Sequence, residues 1–266
     1  MKYIFQVIAM IWVLSAHSQQ LILSSGSDFS YMPNEVIGPN IIDIFEAGDT
    51  AIAFRTTGKI TYLSGNIISV ESLPQEFRID DYAIEPTTGV HFFSNSGDIY
   101  TIDIKSNVVN KFLNTDATIL QVKPLDGRLV YYNQGGKILN VMSYGNPCIV
   151  ESYKLNGPIC CINKLEDDII ASVGKKIFVL GNKEIIPVGE VANNINSLAP
   201  TELDWIAFST DENIGLLNPY GKCKLISDFG ARKLLTFQNN LYILLNNGRV
   251  GVIKNLSSLL EFADKH

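Results

Sequence analysis

A turn followed by a short apolar strand recurs six times along this chain, and that repeat restricts the fold more than any other feature of the sequence. The copies open at Gly58, Gly97, Gly136, Lys175, Glu212 and Gly248. Their first apolar residues are Ile60, Ile99, Ile138, Ile177, Ile214 and Val250, so successive copies lie 39, 39, 39, 37 and 36 residues apart. A nearly all-apolar run precedes each turn, as in Ala51–Thr56, Val90–Asn95 and Trp205–Ser209. Strands covered on both faces read this way. A third run follows the turn strand (Asn66–Val70, Val108–Phe112), and a fourth opens each copy (Ile41–Phe45, Ile119–Lys123). Gly, Asn and Asp punctuate the joins, as short β connections require. No helical stretch separates the copies, which excludes a parallel sheet with helical crossovers. Four strands per copy at a period near 40 predict an all-β fold, a six-bladed β-propeller with four-stranded antiparallel blades. The blades are expected to start near residues 41, 79, 118, 158, 195 and 231.

Both termini lie outside the repeats. Lys2, the apolar run from Tyr3 to Ala16 and the small residues of Ala16-His17-Ser18 form the pattern of a secretory signal peptide, residues 1–18, cleaved before Gln19. The run is short for a membrane span, which needs about 20 residues. The mature chain, 19–266, is expected to be one propeller domain in an exported setting: periplasmic, extracellular or in a secretory lumen. Leu256, Leu259, Leu260 and Phe262 have helical spacing after Asn255, predicting a short C-terminal helix over 256–265 with Asn255 as its cap. The sixth blade then lacks an outer strand. Leu21-Ile22-Leu23 is the segment expected to supply it, closing the ring; the alternative is a strand made from Leu256–Phe262.

Cleavage removes one cation, so the formal charge moves from −6 to −7. No dense Lys/Arg cluster remains, which argues against nucleic acid and anionic membrane surfaces as partners. No stable membrane insertion is expected after cleavage. The four cysteines, Cys148, Cys160, Cys161 and Cys223, fit no known disulfide framework and are expected as free or partly buried thiols.

Aligning the copies places Ile44, Ala83, Val122, Ile162, Leu198 and Leu234 in an apolar column of the opening strand. The preceding residues, Asp43, Tyr82, Gln121, Cys161, Ser197 and Lys233, face the other way and are the candidates for lining the channel. The same side continues with Phe45, Ile84, Lys123, Asn163, Ala199 and Leu235. One acid and one base stand in the first ring, a poor basis for paired-carboxylate chemistry. Histidine is nearly absent: His91 falls in an otherwise apolar column and reads as a packed residue, so a zinc site or a Ser-His-Asp triad lacks its parts. Gly135-Gly136-Lys137 is a hairpin turn in register with the other copies. Asp80-Asp81 and Glu166-Asp167-Asp168 read as charged turns. Asn255-Leu256-Ser257 is an N-glycosylation acceptor sequence.

The segment Gly97-Asp98-Ile99-Tyr100-Thr101-Ile102-Asp103 resembles the Gly-x-Ile/Leu-Tyr-x-Ile/Leu-Asp core of quinoprotein-like and related propeller repeats. The likeness extends to all six copies as a loose pattern and implies the six-bladed propeller superfamily without a specific family. The tryptophan-docking motif of quinoprotein dehydrogenases, the Gly-His and Trp-Asp pairs of WD40 repeats and the Asp-boxes of sialidases do not occur. Fold at this level does not fix function. The expected function is a secreted, non-enzymatic binding module presenting propeller loops to a protein or glycan partner, without a cofactor. The alternative resembles calcium-dependent six-bladed lactonases and esterases, a hydrolase with ligands in the central channel. Its calcium ligands would come from Asp43, Asp81, Gln121, Asn163 and Asn196.

Overall fold

The computed structural model describes residues 29–265 apart from 86, 126, 145–147 and 202–203. The expected signal segment 1–18, Leu21–Leu23 and Asp126 lie outside the described residues. The chain begins with strand β1 (Phe29–Tyr31) and a single helical turn, α1 (Asn34–Ile37). Blade 1 comprises β2 (Asp43–Glu46), β3 (Ile52–Arg55), β4 (Lys59–Ser64) and β5 (Ile67–Ser72). Blade 2 comprises β6 (Asp81–Ile84), β7 (His91–Asn95), β8 (Asp98–Asp103) and β9 (Val108–Asn114). Blade 3 comprises β10 (Ile119–Leu125), β11 (Arg128–Asn133), β12 (Ile138–Ser143) and β13 (Ile149–Lys154). Blade 4 comprises β14 (Ile159–Leu165), β15 (Asp168–Val173), β16 (Lys176–Gly181) and β17 (Glu184–Glu190). Blade 5 comprises β18 (Ser197–Pro200), β19 (Ile206–Ser209), β20 (Ile214–Leu217) and β21 (Cys223–Ser227). Blade 6 comprises β22 (Lys233–Phe237), β23 (Asn240–Leu244) and β24 (Val250–Ile253), and helix α2 (Leu256–Lys265) ends the chain.

Each blade is a four-stranded antiparallel sheet in sequence order, except the sixth, whose fourth strand is β1. The opening strands β2, β6, β10, β14, β18 and β22 contact one another in succession, and β22 returns to β2. The six sheets therefore form a closed ring, the architecture expected from the repeat.

The second strands are apolar throughout because both of their faces are covered. Phe92 and Phe93 are adjacent on β7 and both fully buried, yet they belong to different cores: Phe93 packs toward blade 1 and Phe92 toward blade 3. The core is accordingly six wedges, one in each seam between blades, and no single central mass. A fully buried Phe or Ile contributes about 1.5–3 kcal/mol relative to exposure, and every seam holds several. The outer strands carry far less of this. In β5, Ile67, Ile68 and Val70 are exposed, as are Ile185 and Ile186 in β17.

The ring is closed from the N-terminal side, by a segment downstream of Leu21–Leu23. Phe29, Ser30 and Tyr31 pair antiparallel with Ile253, Val252 and Gly251. Gly251 is required there, since a Cβ would come within 2.6 Å of the Phe29 ring. The Arg249 guanidinium lies 3.6 Å from the centre of the Tyr31 ring, a cation–π contact that also holds β1 in place. Helix α2 buries Leu256, Leu259, Leu260 and Ala263 against Trp205 and Ile214 of blade 5 and Leu241 and Ile253 of blade 6. Its first turn is capped from blade 6: the Asn239 side-chain oxygen accepts the Ser257 N–H at 2.7 Å. Asn255, the cap expected from the sequence, instead sends its side-chain amide to Ser258 Oγ.

Candidate functional site

The opening strands carry the channel-side residues, and a repeated bond shows which way each one points. Asp81 Oδ2 accepts the N–H of Val122 in the next blade at 2.7 Å. Gln121 Oε1 accepts that of Ile162 at 2.9 Å, and Ser197 Oγ that of Leu234 at 3.0 Å. Cys161 holds the equivalent position in blade 4, with its thiol beside the Leu198 amide. Three seams are thus clipped by one side chain reaching across to a backbone donor. Lys233 occupies the equivalent position in blade 6 and has no acceptor to offer. It donates to Asp43 of blade 1, and Asp43 covers the Ile44 N–H itself at 2.8 Å. Arg55 approaches the other Asp43 oxygen at 3.7 Å, and Arg232 donates to the Ile41 carbonyl at 3.1 Å. The seam where the last blade meets the first is therefore the most heavily charged.

The ring at this level is Asp43, Asp81, Gln121, Cys161, Ser197 and Lys233. Tyr82, expected in it from the alignment, is fully buried between blades 1 and 2. Its ring lies 5.4 Å from that of Phe45, and its hydroxyl meets His91 Nδ1 at 2.6 Å. Ala83, expected in the apolar column, faces blade 3. The cause is one extra residue in the first turn of blade 2. Ile84 pairs with His91 across that turn, where blade 1 pairs Glu46 with Ile52. A slip of one residue moves a strand's side chains to the opposite face, so Asp81 takes the position and Tyr82 the core.

The electrostatics follow from this crowding. Burial alone would raise Asp43, but Lys233 and Arg55 outweigh it and hold the carboxyl below the usual range. Asp81 is raised, by burial first and by the Asp43 charge, with Lys233 and the Val122 N–H pulling the other way. Burial pushes the Cys161 thiol up to about 12, and its sulfur lies 3.0 Å from Ser172 Oγ. All four cysteines are free thiols. Burial lowers His91, which serves as the hydrogen-bond partner of Tyr82 in the core.

The residues nominated for calcium are not assembled as a ligand set. Asp43 is engaged by Lys233 and Arg55, Asp81 by the Val122 amide and Gln121 by the Ile162 amide. Asn163 accepts from the Lys164 N–H and donates to the Leu198 carbonyl. Asn196 lies outside the ring and donates to Asp211 at 2.8 Å. Among the described residues, no group of three or more His, Cys, Asp or Glu side chains could hold a metal ion.

The opening strands end at a concavity the sequence did not single out. A cavity of about 380 Å³ occupies that end of the channel, floored by Phe45, Ala83, Ile84, Leu235, Lys123 and Asn163. Glu46, Asp49, Lys164, Glu166 and Thr236 stand around its rim, and the buried Glu85 also lines it. A second cavity of about 430 Å³ shares Glu46, Asp49, Pro200 and Thr236 with the first and runs on toward Leu256 of α2. Lys123 comes from β10, and burial and the Lys233 charge lower its ammonium below the usual lysine range. The protein around Glu46 raises its carboxyl against the pull of Lys123 and Lys164. Lys123 did appear in the second aligned column, but its neighbours there were offset in blade 2.

Comparison with known proteins adds the fold. No family model and no curated protein sequence matches this chain. Among solved structures, the WD40 β-propeller domain of Doa1 superposes with a TM-score of 0.61 at 8% identity, covering 89% of this chain and 97% of that one. A chain in a nidogen/laminin complex gives 0.63 at 12% identity, covering 79% and 90%. The chain is a β-propeller. U3-55K, at 0.61 and 11% identity over 85% of this propeller and 98% of its own chain, is similar to the same degree. Among the described residues, no helix of the propeller is long and apolar enough to cross a membrane.

Proposed function

We propose that this propeller is an exported, non-enzymatic binding module that presents the loops around one end of its channel to a protein or glycan partner. The observation that carries the reading is the joined concavity at the channel mouth. Two cavities sharing four residues form a broad surface ringed by turns, a shape suited to a macromolecular partner. Loops on a rigid scaffold are where binding residues concentrate. Similar propellers occur in structures of a mitotic checkpoint complex and of a nidogen/laminin complex, which are assemblies by their names. The rim acids Glu46 and Asp49 are exposed and favour a partner surface that brings cations or hydroxyl groups.

An affinity capture with residues 19–266 tests this. The wild-type chain is expected to retain a specific partner from extracts of its source. Reversing the rim charges with Glu46→Lys and Asp49→Lys is expected to abolish retention, while Ile67→Lys on the perimeter leaves it intact. Retention unaffected by the rim substitutions, or robust hydrolase turnover by the purified chain, would count decisively against the reading.

A further inference from the structure

We propose that the floor of the channel mouth is a binding site for a small organic carboxylate, its anionic head on the Lys123 ammonium and its apolar body against Phe45, Ala83, Ile84 and Leu235. The observation behind this is a lysine that no described residue meets in a direct ion pair. Lys123 lines the cavity, is partly buried, and makes no hydrogen bond and no ion pair within 4 Å among the described residues. A desolvated ammonium left unpaired is costly, and such groups are normally matched. Glu46 acts on it only at longer range, and the buried acids near it are engaged elsewhere. Asp43 is held by Lys233 and Arg55, Asp81 by the Val122 amide, and Glu85 by the Thr88 N–H and hydroxyl at 2.6 and 2.7 Å. Asn163 and Thr236, the polar neighbours in the cavity, are bonded to the Leu198 and Pro200 carbonyls.

The surroundings select the ligand class. Four apolar side chains face the Lys123 ammonium across a cavity of about 380 Å³, the size of a small-molecule site with an orienting charge. The rim acids Glu46, Asp49 and Glu166 and the buried Glu85 disfavour a dianion such as phosphate, and Lys123 is a single point charge. A monocarboxylate on an apolar body satisfies both halves of the floor. The same head group is carried by a free organic acid and by the C-terminus of a polypeptide. Because the site lies beneath the rim, it stands whether or not the loops hold a partner.

The test is calorimetry and thermal shift on the full chain at pH 7, with phenylacetate, uncharged phenylacetamide and inorganic phosphate. A second pair of probes is a short peptide ending in Phe, with its C-terminus free or amidated. Phenylacetate, the free-carboxylate peptide or both should bind one site, at least tenfold more tightly than their amides and than phosphate. Binding by phenylacetate assigns a free acid; binding by the peptide alone assigns a chain terminus. Lys123→Met should lose the binding and Lys123→Arg retain it, with folding of both followed by circular dichroism. Affinity should also fall as pH rises through the Lys123 ionisation, which lies lower than that of an ordinary lysine. Amides that bind as tightly as the acids, equal binding by Lys123→Met, or no binding of either carboxylate to the folded chain would overturn the assignment.

Discussion

Asp43 and Asp81 are channel carboxylates whose effects on stability run in opposite directions. Cationic neighbours hold Asp43 below its unfolded value, so its charged form stabilises the fold at neutral pH, and that contribution is lost as pH falls through the folded value. Asp81 is raised, so the fold loses stability as pH climbs from the unfolded value, near 4, through the raised one. Asp43→Asn is expected to cost about 3 kcal/mol at pH 7, since it leaves Lys233 and Arg55 without their carboxylate. Asp81→Asn keeps an acceptor for Val122 and is expected to leave stability unchanged or raise it. Urea midpoints at pH 7 and pH 3 check both, with each difference shrinking at the lower pH. Tyr82→Phe removes the hydroxyl bonded to His91 and should cost about 1 kcal/mol, read as a lower Tm without loss of fold. At this scale five of six ring positions were legible, because strand alternation and the repeat together set the side-chain face. The sixth was not, since one added residue in the first turn of blade 2 reverses Asp81 and Tyr82 without disturbing the apolar pattern around them.

Two elements lie outside the repeat and complete it. Strand β1 covers the open edge of β24, which would otherwise present unpaired backbone groups. Phe29→Ala is expected to destabilise the closed ring by about 2 kcal/mol, less than a fully buried Phe loses, because the Phe29 ring is only partly covered by Tyr31 and Phe229. Helix α2 plugs the seam between blades 5 and 6. Leu260 is completely buried there, so Leu260→Ala should cost about 3 kcal/mol and red-shift the emission of Trp205, which shares its cluster. Denaturant unfolding followed by tryptophan fluorescence reads both changes. The helix was legible from its spacing. Its cap was not, because Asn239, the acceptor for its first turn, comes from a hairpin of blade 6.

The molecule as a whole hides its apolar faces in six seams and leaves its perimeter exposed. The outer strand of blade 1 shows Ile67, Ile68 and Val70 to solvent on an open edge, the pattern that invites edge-to-edge association. Ile67→Lys with Val70→Lys should change stability by less than about 0.5 kcal/mol, because neither side chain is in a seam. The same pair should lower light scattering on heating, and unchanged scattering would show that this edge does not drive association. The cavity at the channel mouth also belongs to this scale. It is made by the ends of opening strands from several blades, and no stretch of sequence contains more than a small part of its wall.

The amino-acid order alone determined the strands, their antiparallel pairing within a blade and the number of blades, because apolar alternation and turn chemistry act over a few residues and repeat. The folded structure alone decided that Phe29–Tyr31 completes the sixth blade, that Asp81 and not Tyr82 joins the channel ring, and that Lys123 stands on the cavity floor without an ion pair among the described residues. Each of those outcomes depends on groups far apart along the chain meeting at a seam or around the axis, and local pattern carries no record of such meetings.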